Sequence, residues 1–438
     1  MRSGPRFTGL DDWLAWQQTL HPDAIDLGLD RARRVLVRTA WRRPSCPVIT
    51  VGGTNGKGSC VAMLAAILGA SGRRVGTFTS PHLVDYRERI RVDGVPVSAA
   101  SLVVAFERIA DALGTDTLTF FEFNTLAALL VFETAAPDVV VLEVGMGGRL
   151  DTVNLVDADA SVIVSVGFDH MEWLGRDLES IGREKAGIFR RERPAIVGMP
   201  SPPHSVLEVA EALGSRLLLR SRDFDGAEQP DGRWRYRDAT GELDALPAPA
   251  LAGAAQLGNA AIALAALRSL GGSLPVGRDA VEQGLRRVRL AGRFQRIADL
   301  RGFEWVLDVA HNPDAARTLA DNLVRYPAEG STVAICGMLG DKDIEQVDGV
   351  LGGRAERWIA ADTEGARGLA GRELAARAAP AGIAMEHGGS VAQAMALAAA
   401  DAAAGDRIVV FGSFHTVGPA LEYLRLSRAD GGNPPVWL

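Results

Sequence analysis

The sequence predicts an α/β fold organised as two domains, each built around a mostly parallel sheet. Two observations carry this prediction. Short apolar runs rich in β-branched residues, typical of strands that are buried on both faces, alternate with helical patterns in each half of the chain. In addition, a chain of 438 residues is longer than one hydrophobic core usually organises, so two domains are expected.

In the first half, four apolar runs bounded by turn or helix signals predict strands. They are Pro47–Val51, Asp138–Leu142, Ala160–Val166 and Ala195–Gly198. The first run ends at glycines and precedes a helical pattern over residues 59–68, which predicts a strand, a loop and a helix in succession. A polar, turn-rich stretch over residues 223–250, in which Trp234 and Tyr236 alternate with polar residues, predicts a small hairpin.

The second half repeats the alternation of strand-like and helical segments. Strand-like segments are Glu304–Val309, Thr332–Cys336, Arg357–Ala361 and Arg407–Phe411, and helical patterns begin at Pro313, Ile344 and Ser390. This order is typical of a separate open α/β sheet. We therefore predict a P-loop domain with a mostly parallel sheet over residues 1–292 and a smaller Rossmann-like α/β domain over residues 293–438.

Composition excludes several classes of protein. The hydrophobic content of 47% and charged content of 23% are those of globular proteins. Without a run of about 18 apolar residues or an N-terminal apolar core, the chain is expected to be cytoplasmic with no membrane partner. Three distant cysteines predict no disulfide framework, and a net charge of -7 argues against nucleic-acid binding. Small-molecule chemistry is the remaining expectation.

The segment Gly52-Gly-Thr-Asn-Gly-Lys-Gly-Ser59 has the parts of a phosphate-binding loop. Glycines let backbone N–H groups turn toward phosphate oxygens, the following helix offers its positive end, Lys57 supplies a charge, and the Ser59 hydroxyl can bind Mg²⁺. The segment departs from the common pattern because Gly58 separates the lysine from the serine. A glycine turn that merely precedes a helix would need neither residue at these positions, so we predict an ATP-using enzyme.

Two further polar residues follow predicted strands. Glu143 ends one apolar run and His170 follows another, at the sheet edge where ligands of open α/β sheets bind. Either could bind Mg²⁺ or act beside it, although a solvated carboxylate and a packed histidine are the simpler alternatives. Gly145-Met-Gly147-Gly148 resembles the start of a dinucleotide fingerprint, but position 150 is Leu150, so we reject a dehydrogenase.

Only three of the 47 basic residues are lysine, namely Lys57, Lys185 and Lys342. In a chain this rich in arginine, a remaining lysine indicates a need for a compact ammonium or a nucleophilic amine, with chance retention on the surface as the alternative. In the second half, Asp308-Val-Ala-His311-Asn312-Pro313 lies where a strand passes into a helix, which suits binding. Asn312 could instead simply cap the helix.

Together these motifs resemble the folylpolyglutamate synthase and dihydrofolate synthase family of the Mur-ligase superfamily. The resemblance spans nearly the whole chain and rests on these segments: Gly53–Ser59, Thr79–Leu83 with Glu88–Ile90, Phe121–Glu122, Glu143–Gly145 through Asn154, Asp169–His170, Glu184–Gly187, Asp308–Pro313 and Phe411–His415. It implies ATP-dependent ligation of L-glutamate to dihydropteroate or to a reduced folate, through an acyl phosphate. We also expect a monomer.

The resemblance also implies roles for individual residues. The ATP-binding residues would be Gly53, Thr54, Asn55, Gly56, Lys57, Gly58, Ser59, Asn259, Arg293, Asp308 and His311. Two Mg²⁺ ions would be bound by Ser59, Ser80, Glu143 and His170. The folate-type substrate would contact Ser80, Pro81, His82, Arg89, Phe121 and Asp151, with residues 79–89 resembling a mobile substrate loop. Lys57, Lys185 and His170 would be catalytic, and Lys185 matches a lysine that is N-carboxylated in many relatives.

The sequence differs from the family pattern at one motif, and it leaves two alternative functions open. Many relatives carry histidine before the glutamine of the motif that leads to Asn259, whereas this chain has Ala255 before Gln256, which puts part of the adenine site in doubt. A Mur ligase acting on a cell-wall precursor is one alternative. A switch protein that hydrolyses ATP only to change shape is the other, although it would not need a carboxylate, a histidine and a modifiable lysine at one edge.

Overall fold

The computed structural model describes residues 5–365 and 367–429. Its contacts divide the chain into two compact units. The first comprises the described parts of Met1–Pro81, Arg87–Ala248 and Leu257–Arg287, and the second those of His82–Tyr86, Pro249–Gln256 and Val288–Leu438. Each unit has its own sheet, so the predicted α/β fold with a second, smaller α/β part is confirmed. The domain bounds of 1–292 and 293–438 stay a prediction.

The first unit contains an eight-stranded, mostly parallel sheet in the order β4-β3-β2-β5-β1-β6-β7-β8. Its strands are β1 Val48–Gly52, β2 Val75–Phe78, β3 Ile90–Val92, β4 Val95–Pro96, β5 Val139–Glu143, β6 Ala160–Ile163, β7 Pro194–Val197 and β8 Arg216–Leu219. Its helices are α1 Leu10–Gln17, α2 Asp30–Arg38, α3 Lys57–Ala70, α4 Ala99–Ala112, α5 Phe120–Ala135, α6 Met171–Leu174, α7 Leu178–Ala186, α8 His204–Leu213, α9 Ala255–Leu270 and α10 Arg278–Arg287.

Strand β1 lies at the centre of the first sheet, between β5 and β6. All five of its residues are buried, as expected for a parallel strand covered on both faces. Val51 is paired with Glu143 on one side and with Val162 on the other. Because these strands run in the same direction, the loops that follow them leave from one edge of the sheet.

The region predicted as a small hairpin is instead a three-stranded antiparallel sheet. Its strands are β9 Phe224–Glu228, β10 Trp234–Asp238 and β11 Gly241–Leu246, in the order β11-β10-β9. The alternation of buried Trp234 and Tyr236 with exposed residues marks β10 correctly. The first strand escaped prediction because Phe224 is the only buried residue of β9, so it has no apolar alternation.

The second unit is built on a six-stranded sheet in the order β12-β13-β17-β14-β15-β16, parallel except for β12. Its strands are β12 Gln295–Ala298, β13 Glu304–Asp308, β14 Thr332–Cys336, β15 Arg357–Asp362, β16 Glu386–Ser390 and β17 Arg407–Phe411. Its helices are α11 Pro313–Arg325, α12 Ile344–Leu351, α13 Gly371–Ala378, α14 Val391–Asp401 and α15 Phe414–Ala429. Apolar side chains cover both faces. Within the described ranges, the longest apolar helices fall short of what crossing a membrane requires.

A carboxyl group is enclosed in the core of the second unit. Asp348 of α12 is fully buried, its Oδ2 has no hydrogen-bond partner, and its Oδ1 faces the Cys336 thiol at 3.7 Å from Sγ. Burial raises the pKa of Asp348 to about 7, because the charged form loses its hydration without gaining a cation. The ionised form is therefore disfavoured in the folded state.

We expect Asp348 to make the free energy of unfolding fall as the pH rises. Its folded pKa lies above the unfolded value of about 3.9, so its contribution is complete below that value and is lost as the pH approaches about 7. Relative to Asp348→Asn, the wild type should lose roughly 4 kcal/mol of stability between about pH 4 and pH 8, measured by urea unfolding. Parallel pH profiles for the two proteins would contradict this expectation.

Candidate active site

The phosphate-binding loop predicted from the sequence has a backbone that only glycine adopts readily. Gly53 has φ 146° and Gly56, which precedes α3, has φ 86°. A Cβ at Gly53 would lie 3.1 Å from the backbone nitrogen of Ser165, and one at Gly56 would lie 2.8 Å from Val164 Cγ1 and 2.9 Å from Asn259 Oδ1. The loop is thus packed tightly against the segment after β6 and against α9.

The residues that follow β6 hold this loop by hydrogen bonds. Thr54 N donates to Ser165 O at 2.9 Å, and Asn55 N donates to Ser165 Oγ, whose hydroxyl donates back to Asn55 O, each at 2.9 Å. Thr54 Oγ1 accepts from Gly167 N at 3.0 Å and donates to Gly167 O at 3.1 Å. These bonds organise the loop before any phosphate binds.

Helix α3 begins at Lys57, two residues earlier than the sequence pattern predicted. Gly58 and Ser59 therefore lie in its first turn, where backbone N–H groups have no partner within the helix and attract anions. Lys57 Nζ donates to Gly53 O at 2.9 Å and to Thr54 O at 3.1 Å, so its ammonium lies over the loop. The Ser59 side chain is buried.

Glu143 and Ser80 meet at the same sheet edge. Glu143 ends β5 and is buried, and Ser80 N donates to Glu143 Oε2 at 3.4 Å. The charge of Glu143 adds to the effect of burial in raising the pKa of the Cys60 thiol, which places the first turn of α3 close to this carboxylate. A buried carboxylate beside a phosphate-binding loop suits Mg²⁺, which binds through one or two carboxylates and substrate phosphates.

His170 follows β6 in a left-handed backbone conformation, with φ 51°. Its N–H donates to Asp169 Oδ1 at 2.9 Å, and its Nε2 lies 3.9 Å from the same oxygen. Among the described residues, no cluster of three or more His, Cys, Asp or Glu side chains could hold a metal ion. The predicted set has only Glu143 and His170 of these types, so a metal there would also need the serine hydroxyls and ligands from the nucleotide.

Lys185 lies at the end of α7 and is buried. Burial, and next the positive charge of Lys57, lower the pKa of Lys185 to about 7, while Asp169 and Asp151 act in the opposite direction. Burial likewise raises the pKa of Asp151 to about 6, although amides of Met146 and Val153 donate to its carboxylate at 2.9 Å each. Two lysines and two aspartates therefore face one another beside the loop.

The glycines after Glu143 have a packing role, in agreement with the rejection of a dinucleotide fingerprint. A Cβ at Gly145 would lie 2.6 Å from ring carbons of Phe121, and one at Gly148 would lie 2.9 Å from the carbonyl oxygens of Glu184 and Lys185. The segment 145–148 thus lets Phe121 and the end of α7 approach the backbone. Asp151, predicted to contact the substrate, hydrogen-bonds to this same segment.

Four of the predicted site residues lie in the second unit, namely His82, Arg293, Asp308 and His311. Asp308 is half-buried, and its carboxylate accepts hydrogen bonds from Phe294 N and Ala310 N at 2.8 Å each. Burial raises the pKa of Asp308, against the opposing charges of Arg293 and His311. His311 Nδ1 lies 2.8 Å from Val309 O and must donate to it, so this nitrogen carries the hydrogen.

The remaining predictions in this unit concern a cap and a substrate contact. Asn312 Oδ1 accepts from Ala315 N at 2.9 Å and Pro313 begins α11, so the capping alternative for Asn312 is confirmed. The ring of His82 lies 6.0 Å from that of Tyr86, between centroids. Gly253 packs against Asn322. It lies two residues before Ala255, the position at which many relatives carry histidine.

Comparison with known proteins identifies the family. The Mur ligase middle domain matches residues 51–201, and the Mur ligase glutamate ligase domain matches residues 292–414. The dihydrofolate synthase/folylpolyglutamate synthase of Escherichia coli is 43% identical over 428 residues, covering 96% of this chain and 97% of that protein. The chain belongs to this family. That of Haemophilus influenzae is 38% identical, covering 93% of this chain and 96% of that protein.

Solved structures of this family have the same fold. E. coli FolC in complex with DHPP and ADP has a TM-score of 0.91 and 42% identity, covering 97% of this chain and all of that one. A family enzyme from Yersinia pestis complexed with AMPPNP and a Mn ion has a TM-score of 0.88 and 42% identity, covering 96% of this chain and 99% of that one. Family membership makes the chain a ligase and favours the main interpretation over both alternatives.

Two residues beside the loop were missed as site residues. Ser165 bonds to both backbone atoms of Asn55, and Asp169 faces Lys185 and accepts from His170 N. Asp169 stood in a quoted motif, and its place after a strand could have identified it. Ser165 carried no such signal, because a serine near the end of an apolar run does not indicate which loop it contacts.

We expect Gly56→Ala to reduce nucleotide affinity of this family member at least about tenfold while the protein stays folded. The added Cβ would meet Val164 and Asn259, and φ 86° is unfavourable for alanine, so the loop amides must shift. Calorimetric titration with ADP measures the effect. The control is Gly69→Ala in α3, the helix that follows Gly56, because a Cβ at Gly69 meets nothing within 4 Å. Equal affinity for both variants would refute the expectation.

Proposed function

We propose that this enzyme joins L-glutamate to dihydropteroate, to the terminal γ-carboxylate of reduced folates, or to both, using ATP. The observation that carries the proposal is the convergence of the phosphate-binding loop, Glu143, Lys185 and Asp169 at one edge of the first sheet. A bifunctional folylpolyglutamate synthase/dihydrofolate synthase structure with Mn, AMPPNP and L-glutamate bound, and the E. coli complex with DHPP and ADP, support the same substrate classes.

The proposed reaction has two steps. A carboxylate oxygen of the folate-type substrate attacks the γ-phosphorus, and ADP leaves to give an acyl phosphate. The amine of glutamate then attacks the acyl carbon, and the tetrahedral intermediate loses phosphate and a proton to form the amide. Backbone amides of residues 56–59 and the ammonium of Lys57 would bind the β- and γ-phosphates and stabilise the charge that develops there.

A divalent cation fits this edge of the first unit. Ser59, Ser80, Glu143 and His170 are the proposed ligands of two Mg²⁺ ions, which would screen the repulsion between the carboxylate and the γ-phosphate. Glu143 would supply a buried carboxylate oxygen, and His170, which is partly exposed, would supply a ring nitrogen. The remaining ligands would come from phosphate oxygens.

The other roles are proposed from the resemblance residue by residue. Asn259, Arg293, Asp308 and His311 would contact the nucleotide, and Ser80, Pro81, His82, Arg89, Phe121 and Asp151 the folate-type substrate. For Asn259, its position beside Gly56 supports a role near the phosphates. We further propose that residues 1–292 and 293–438 are the two domains and that the enzyme acts in the cytoplasm as a monomer.

Lys185 has the environment that N-carboxylation requires. Carbon dioxide reacts with a neutral amine, and a pKa of about 7 leaves much of Lys185 neutral at physiological pH. The unmodified ammonium faces the like charge of Lys57, whereas a carbamate would be negative and attracted to it. An arginine could not form this group, which accounts for a lysine at this position in an arginine-rich chain.

Purified enzyme should release phosphate from ATP in a glutamate-dependent manner when dihydropteroate is supplied. Glutamate is required because its amine consumes the acyl phosphate. The assay compares phosphate release with and without glutamate, and then dihydropteroate with tetrahydrofolate as the acceptor to assign one or both synthase activities. If ATP turned over equally without glutamate, the ligase proposal would fail.

Replacing Lys185 with alanine should lower kcat on the order of 100-fold, because it removes the amine that would carry the carbamate opposite Lys57. Short carboxylates such as acetate should restore part of the activity to Lys185→Ala by occupying the vacated space. Lys185→Arg is the control, because it keeps the charge but leaves no room for acetate.

The carbamate itself is tested by carbon NMR with isotopically labelled bicarbonate. Its signal should strengthen as the pH rises through about 7, because the neutral amine is the reacting form. Absence of both rescue and labelled carbamate would remove the carbamate proposal, while leaving the ligase proposal intact.

A further inference from the structure

The first turn of α5 makes a different contact through each of three consecutive residues. Phe120 lies under the guanidinium of Arg89, whose Cζ is 5.5 Å from the ring centroid. The partly exposed ring of Phe121 lies over Gly145. Glu122 is buried and hydrogen-bonded. Two of the residues proposed to contact the folate-type substrate, Arg89 and Phe121, thus meet this single turn.

The Glu122 carboxylate has two simultaneous roles. Its Oε2 accepts from Thr119 N at 2.7 Å, completing a capping box in which Thr119 Oγ1 accepts from Glu122 N. Its Oε1 and Oε2 also accept from Nη2 and Nε of Arg31, at 2.9 and 3.2 Å. This is a bidentate pair, which constrains orientation as well as distance.

Arg31 connects this turn to the segment between α1 and α2. Its Nη2 donates to Asp26 O at 2.8 Å, and its Nη1 pairs with the Asp26 carboxylate. Asp26 Oδ2 in turn lies 3.4 Å from His21 Nε2. A planar guanidinium can satisfy Glu122 and Asp26 together, which the point charge of lysine cannot reproduce.

Phe121 has little freedom to move relative to this network. A Cβ at Gly145 would lie 2.6 Å from its ring, so the ring is in close contact with backbone there, and the Phe78 ring lies 5.9 Å away on the neighbouring strand. Any displacement of the first turn of α5 therefore moves the ring of Phe121. A displaced ring would bind the substrate less tightly in the ground state and in the transition state alike, which raises KM and leaves kcat nearly unchanged.

We propose that Arg31 and Glu122 are positioning residues that hold Phe121 in place for the pterin-bearing substrate. The proposal rests on the proposed function, because it takes Phe121 as a contact of that substrate. The Arg31–Glu122 pair would therefore support affinity for the pterin-bearing substrate, whereas nucleotide affinity would depend on the phosphate-binding loop.

The same helix offers a matched control. Glu133, near the other end of α5, accepts from Arg108 Nη1 at 2.5 Å and from Arg42 N at 2.7 Å. Glu122→Gln and Glu133→Gln each remove the charge of one α5 carboxylate that is paired with an arginine of another helix. Glutamine also preserves the capping box, so Glu122→Gln tests the ion pair rather than the cap.

Steady-state kinetics with dihydropteroate, combined with thermal unfolding, tests the proposal. Glu122→Gln and Arg31→Lys should raise KM for dihydropteroate about tenfold, leave KM for ATP within about twofold, and change kcat little. Glu133→Gln should lower Tm by a comparable amount with KM for dihydropteroate unchanged. Arg31→Lys provides the measurement if Glu122→Gln does not fold.

A double-mutant cycle with Phe121→Leu checks that the effect passes through the ring. If Glu122 acts by holding Phe121, adding Glu122→Gln to Phe121→Leu should raise KM by much less than the product of the single effects. Fully multiplicative effects, or a KM increase in Glu133→Gln equal to that in Glu122→Gln, would overturn the proposal. A wild type that uses neither dihydropteroate nor tetrahydrofolate as the acceptor would overturn the proposed function as well, whereas an active wild type with unchanged KM in Glu122→Gln overturns this inference alone.

Discussion

The parallel pairing of β1 with β5 and β6 is the constraint on which the proposed active site depends. Val51 pairs with both Glu143 and Val162, so three loops leave the sheet side by side. The first is the phosphate-binding loop itself, the second follows Glu143, and the third contains Ser165, Asp169 and His170. Each of the three loops follows a different strand, and only the shared strand direction brings them to one edge.

Hydrogen bonds then convert this proximity into a defined loop geometry. Ser165 bonds to the backbone of Thr54 and Asn55, and Gly167 bonds to the Thr54 hydroxyl, so the start of the loop is fixed in place. The segment after β6 therefore supports the nucleotide loop and also leads to His170. A shift in either strand would disturb both functions together.

Burial supplies the electrostatics. Lys57, Lys185, Asp151 and Asp169 balance one another in a region where isolated charges are costly, and the two shifts in pKa follow from this balance. Gly145 and Gly148 make the arrangement possible, because their lack of a side chain lets Phe121 and the end of α7 approach the backbone closely. The same closeness makes the site sensitive to the position of α5.

The sequence by itself determined most of the strands, the two α/β sheets and the nature of the phosphate-binding loop. These features are local: apolar runs, glycines at a strand end, and a lysine and a serine in the next turn are visible in consecutive residues. For the same reason β14, α12 and β17 were predicted at their observed bounds or starts. Strand β9 of the small antiparallel sheet was missed because it has no apolar alternation.

Only the tertiary structure decided which distant residues meet. Ser165 with Asn55, Arg31 with Glu122, and Lys185 with Asp151 are separated by tens of residues along the chain, and no local pattern links them. Burial of Asp348 and the lowered pKa of Lys185 were equally invisible, because desolvation depends on the residues packed around a group and not on its neighbours in sequence.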